Sequence, residues 1–85
     1  MEILYSKAAE SDISSMDRQL RGLFFKHIEK ALSMPSRHMK FGMPFNVEEV
    51  TKSARLVFQK EGAALFIVRC FKDHKDYERW YKSFK

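Results

Sequence analysis

The chain reads as an α+β domain: a small, mainly antiparallel sheet packed on a helical hairpin, with a short C-terminal helix. Apolar residues recur at helical spacing through residues 7–33, and β-branched and aromatic runs at 54–59 and 63–71 flank Lys60-Glu61-Gly62. An aromatic stripe at helical spacing then closes the chain. These are the periodicities of a helix pair, a β-hairpin and a third helix.

Taken in order, residues 2–5 are short, apolar and β-prone, a first strand that joins the hairpin's sheet. Ser6 suits a helix N-cap, with Glu10 in the first turn where a carboxylate meets the positive end of the helix dipole. Ile13, Met16, Leu20, Leu23, Phe24, Ile28, Ala31 and Leu32 form one stripe. Ser14-Ser15-Met16-Asp17 reads as a break and re-cap, giving helices near 7–14 and 16–33 rather than one rod. His27 lies beside the stripe in a structural or solvated position. Met34-Pro35 ends the second helix, because proline cannot continue it. After Gly42 and Pro44 a strand is expected from about 45 to 50.

For the hairpin, Gly62 can take the left-handed conformation that closes a three-residue loop, which pairs Gln59 with Ala63 and Arg55 with Ile67. That register puts Leu56, Phe58, Ala64, Phe66, Val68 and Cys70 on the helix-covered face, and Arg55, Gln59 and Arg69 on a polar ridge facing solvent or a ligand. A two-residue Glu61-Gly62 turn would bury Arg69 and segregates polar from apolar less well. Asp73 then N-caps a last helix whose Tyr77, Trp80, Tyr81 and Phe84 fall on one side. Such a stripe normally packs on its own domain; a base-stacking surface is the functional alternative.

Eighty-five residues suffice for one domain, spanning 1–85, with a core and no disulfide. The single cysteine, Cys70, reads as a buried, inert thiol, and a cytoplasmic setting is expected. Nothing resembles a signal peptide or a membrane span. The net charge of +5 is uneven: residues 1–51 carry seven Lys/Arg against seven Asp/Glu, whereas 52–85 carry nine against four. The hairpin and tail thus favour a phosphate-bearing or acidic partner. No glycine-rich phosphate loop, nucleophilic triad or metal-ligand spacing is present, so no cofactor and no metal are expected.

The element order, the loop Lys40-Phe41-Gly42-Met43-Pro44, the strand Arg55-Leu56-Val57-Phe58-Gln59 and His74-Lys75 shortly before Tyr77 resemble the RelE/ParE superfamily of type II toxins over nearly the whole chain. The resemblance implies a RelE-like β-α-α-β-β-β(-α) fold and a cognate antitoxin. It also implies an activity: ribosome-dependent, metal-independent cleavage of mRNA, inhibiting translation. The alternative is a non-catalytic ParE-like or degenerate member that binds gyrase, RNA or an antitoxin. By the resemblance, Arg55 holds the scissile phosphate, His74 or Lys75 supplies the basic group after the last strand, and Tyr77 is the tail tyrosine, a role Tyr81 could also fill. Where many members carry lysines on the second strand, Glu48 or Glu49 stands as a carboxylate base, and Lys40, Lys52, Arg69, Lys72 and Lys75 contact the RNA backbone. The chemistry is coherent, since RNA can be cut by its own 2′-hydroxyl. The protein need only move protons, as an imidazole does near neutral pH, and hold the growing phosphate charge with a fixed guanidinium. An Arg55 bridge to Glu48 or Glu49 is the purely structural alternative.

Overall fold

In the computed structural model, which describes residues 2–33 and 45–83, β1 (Glu2–Tyr5) leads into α1 (Lys7–Ser14) and α2 (Arg18–Ser33). Then come β2 (Asn46–Glu49), β3 (Arg55–Glu61), β4 (Ala64–Phe71) and α3 (His74–Lys82). The sheet order is β1-β4-β3-β2, with β1 parallel to β4 and the other pairs antiparallel. The expected α+β class and element order are therefore those observed. The expected stop at Met34-Pro35 and the 40–44 loop lie outside the described residues, as does Phe84.

The helix breaks follow from side-chain capping. Ser6 Oγ accepts the Ala9 N–H at 2.9 Å to start α1, and Asp17 Oδ1 accepts the Leu20 N–H at 2.8 Å to start α2. The stripe expected from spacing is buried: Ala9, Ile13, Met16, Phe24, Ile28 and Ala31 meet Ala54, Leu56, Phe58, Leu65, Ile67 and Cys70 of the sheet. Each such Leu, Ile or Phe stabilises the fold by about 1.5–3 kcal/mol. At the far end of α2, Lys60 Nζ donates to the Ala31 and Leu32 carbonyls at 3.2 and 2.9 Å, satisfying groups a helix C-terminus leaves open.

The hairpin corrects the expected register. Glu61 pairs with Ala64 across a two-residue Gly62-Ala63 turn, with Gly62 at φ +55°, and Arg55 pairs with Phe71 rather than Ile67. Leu65 and Ile67, both fully buried, therefore face the helices, while Phe66 points away and is 40% exposed. Ala64, Phe66 and Val68 thus lose the core positions assigned to them. The physical reason is shape: the shifted register sets two branched aliphatic side chains, Leu65 and Ile67, against the helices in place of Ala64, Phe66 and Val68. A bulge beside Val57 and Phe58 then skips Val68, so Leu56 pairs with Cys70 and both lie on the core side, the face expected for them from the sequence.

Burial pushes the Cys70 thiol up to about 12, with Asp12 adding to the rise and Arg69 opposing it. A thiol in the unfolded chain ionises near ~8.5. The stability gained by keeping Cys70 neutral is fully present below that value. It declines as the pH rises toward the folded value, by about 1.4 kcal/mol per pH unit. Burial also raises Tyr5 and Tyr77, which extend the same trend. Urea midpoints are expected to fall steeply between pH 9 and 11, and less steeply in Cys70→Ala. Equal slopes would show that the thiol is not sealed.

Candidate functional site

Strand alternation on β3 sends Leu56 and Phe58 toward the helical hairpin and Arg55 and Val57 to the opposite face. That opposite face is only partly open. β4 ends at Phe71, and Asp73 Oδ1 accepts the Lys75 N–H at 2.9 Å, so the chain turns directly into α3. α3 lies back over the same face, and its aromatic stripe forms a second small core: Val57, Phe71 and Tyr77, flanked by Phe45, Val47, Val68, Trp80 and Tyr81. Ring centroids stand 6.0 Å apart for Phe71–Tyr77, 5.6 Å for Phe71–Trp80 and 5.4 Å for Phe45–Trp80. The polar ridge expected to face solvent is therefore roofed by α3 at its Arg55 end.

Arg55, His74 and Tyr77 gather under and beside that roof. Arg55 Nη1 donates to the carbonyls of Thr51, Lys52 and Ala54 at 3.0, 3.1 and 3.0 Å, which lashes the guanidinium to the turn between β2 and β3. Its Nη2 lies 3.9 Å from Glu49 Oε1, a loose pairing of a mostly buried guanidinium with a mostly exposed carboxylate. His74 opens α3, with its ring centroid 5.6 Å from that of Tyr77 and its Nδ1 3.2 Å from Glu78 Oε1 one turn on. Tyr77 is 3% exposed, and its hydroxyl is buried without a hydrogen-bond partner among the described residues. Burial raises its pKa, Tyr81 adds to the rise, and the positive charge of Arg55 works against it.

An orphaned buried hydroxyl carries a desolvation penalty of about 1–3 kcal/mol. Tyr77→Phe is accordingly expected to leave stability unchanged or raise it by about 1 kcal/mol, whereas Tyr77→Ala should cost about 3–5 kcal/mol. Thermal melts of both variants check this. A clear loss in Tyr77→Phe would mean the hydroxyl has a partner.

The remaining candidates are scattered. Glu48 pairs with Leu56 and so points to the helical hairpin, where its Oε1 lies 3.6 Å from His27 Nδ1 and 3.5 Å from Lys30 Nζ. It is across the sheet from Arg55. Glu49, its alternative, is on the Arg55 side but mostly exposed. Arg69 is not a free cation: Nε and Nη2 donate to the two oxygens of Asp12 at 2.8 and 2.9 Å, and its guanidinium lies 4.7 Å from the Phe71 ring centre. Lys52, Lys72 and Lys75 are exposed around the Arg55 end, Tyr81 is half-buried beside Tyr77 at 5.0 Å between centroids, and Lys40 lies outside the described residues.

Two further residues, Glu78 and Asp12, hold side chains of this region in place. Glu78 was legible in principle, since it stands four residues after His74 on one helix. Asp12 carried no local signal, because its role depends on how far β4 runs past β1. Among the described residues no cluster of three or more His, Cys, Asp or Glu could hold a metal ion, and no helix is long and apolar enough to cross a membrane.

A scan of protein-family models and a search of curated proteins give no match. Solved structures do match. A YoeB/ParE toxin from Agrobacterium tumefaciens aligns at TM-score 0.66 and 16% identity, over 82% of this chain and 95% of that one. A structure of the RelB-RelE antitoxin-toxin complex from Methanococcus jannaschii aligns at TM-score 0.66 and 12% identity, over 92% and 98%. A copper-bound mutant toxin from Helicobacter pylori aligns at 0.59 and 14%, over 89% and 97%. The chain thus has the fold of RelE/ParE-type toxins, helices packed on a small sheet.

Proposed function

We propose that this protein is the toxin of a type II toxin-antitoxin pair and cuts mRNA on the ribosome, in the cytoplasm and without a metal. The observation that carries the reading is the convergence of Arg55, His74 and Tyr77 at one end of the sheet, beside exposed Lys52, Lys72 and Lys75. The match to a toxin solved with its antitoxin supports a protein partner of that kind.

In this reading Arg55 takes the scissile phosphate. His74 Nδ1 is held by Glu78, which leaves Nε2 to accept the proton of the 2′-hydroxyl as that oxygen attacks phosphorus. The P–O5′ bond breaks, the leaving oxygen takes up a proton from water, and a cyclic phosphate remains. Tyr77 is too buried to touch RNA and fixes the His74 ring from below; Tyr81 is the tyrosine placed to stack on a base. The three lysines hold the flanking phosphates. Glu48 and Arg69 have no part in it, being committed to α2 and to Asp12.

Ribosomes programmed with a defined message test this, by mapping new 5′ ends after adding the purified protein. Cuts within the decoded codon are expected. An intact message together with inhibition of gyrase supercoiling would instead favour a non-cleaving, ParE-like binder, a reading to which the α3 roof over Arg55 lends some support.

A further inference from the structure

A cleft of about 280 Å³ opens at the same end of the molecule, lined by Asp17, Gln19, Leu20, Leu23, Thr51 and Lys72. Thr51 is a shared wall, since its carbonyl accepts from Arg55 while the residue lines the cleft. Lys72 directly follows Phe71, the strand partner of Arg55, and also lines the cleft. We propose that this cleft is a base-binding subsite for one ribonucleotide of the strand being cut, next to the phosphate on Arg55. This rests on the reading given under Proposed function.

The chemistry of the lining suits a nucleobase. Leu20 and Leu23 offer an aliphatic wall for a flat ring; both are half-buried, and Leu20 packs against the core. Asp17 spends Oδ1 on capping α2, which orients its carboxylate while Oδ2 can accept from a base amino group. Gln19 offers an amide that both donates and accepts, and the Lys72 ammonium can reach the sugar-phosphate edge. The volume is on the scale of one nucleotide, consistent with recognition of unpaired RNA. The carboxylate makes it a poor seat for a bare anion and favours a base that presents an amino group, adenine, cytosine or guanine, over uracil.

The test is titration of the intact protein with each of the four ribonucleoside 5′-monophosphates, followed by amide NMR, in the wild type, Gln19→Ala and Leu23→Trp. Shifts are expected at Thr51, Lys72 and the first turn of α2, strongest for an amino-bearing base. Affinity should fall about tenfold in Gln19→Ala, as for one lost hydrogen bond, and binding should vanish in Leu23→Trp, whose indole fills the cleft. Gln19 is exposed, so its variant keeps the fold. Shifts that map elsewhere, equal binding of all four bases, or wild-type affinity in both variants would overturn the subsite. The ribosome assay separates the two proposals: cleavage with unchanged base preference in Gln19→Ala rejects the cleft alone, whereas no cleavage by the wild type rejects the nuclease and leaves the titration to decide the cleft.

Discussion

Asp12→Ala is expected to cost about 3 kcal/mol, lowering the melting temperature by more than about 10 °C for a domain of this size. β1 stops at Tyr5, opposite Ile67, but β4 continues to Phe71 with no strand beside it on that edge among the described residues. Side chains of the β1–α1 connection and α1 take over. Ser6 donates its N–H to the Ile67 carbonyl at 3.0 Å and its hydroxyl to the Val68 carbonyl at 2.7 Å. Asp12 Oδ2 then accepts the Cys70 N–H at 2.9 Å while both oxygens hold Arg69. Removing the carboxylate leaves a guanidinium and a backbone N–H short of partners in a place water reaches poorly. Solvent moderates the loss, since the Arg69 and Asp12 side chains are 29% and 16% exposed, and the figure is discounted accordingly. Asp12→Asn keeps an acceptor for Cys70 but loses the charge and one of the two oxygens that hold Arg69, so more than half the effect is expected. The damage should spread to α3, because Arg69 lies on Phe71 and Phe71 carries Tyr77 and Trp80. Hydrogen exchange of the α3 amides would register that. A melting temperature within about 3 °C of the wild type would refute the account.

How much could be read from the residues alone divides along the range of the interactions. Both short-range caps, Ser6 and Asp73, and the stripe from Ile13 to Ala31 were legible, because N-caps and helical spacing are written within a few residues. The hairpin register was not. Gly62 marks a turn but leaves its length open, and the bulge at Val68 lets the Cys70 end of β4 agree with one register and the Leu65 end with another. Leu65 and Ile67 in the core decide it, and that choice belongs to the helices across from them. Arg69 shows the same limit. A strand arginine next to a basic tail reads as a nucleic-acid contact until Asp12, 57 residues earlier, is found holding it. Glu48 was assigned by position in its strand, and only the pairing with Leu56 turns it toward His27 and Lys30. The roles of Arg55, His74 and Tyr77 rest on resemblance alone, whereas the roof that α3 puts over this face was present in the sequence as an aromatic stripe.

If the protein cuts mRNA as proposed, Arg55→Ala is expected to lower that cleavage by about 10²–10³-fold, the range seen when one fixed donor to a developing negative charge is removed. The three carbonyls that hold Nη1 fix the guanidinium before any RNA arrives, so little ordering remains to be done at the transition state. The same three bonds tie the turn after β2, so some loss of stability is expected too, about 1–2 kcal/mol. Arg55→Lys separates the two roles. An ammonium keeps the charge but cannot bond the turn and a phosphate as a planar fork does, so cleavage should recover only in part while the melting temperature stays low. Glu49→Gln should do the reverse: it relieves the loose 3.9 Å pairing without touching the lashing, leaving stability unchanged and cleavage equal or slightly higher. Wild-type cleavage by folded Arg55→Ala would remove the guanidinium from the chemistry, and with it the reason to seek a scissile phosphate at this end of the sheet.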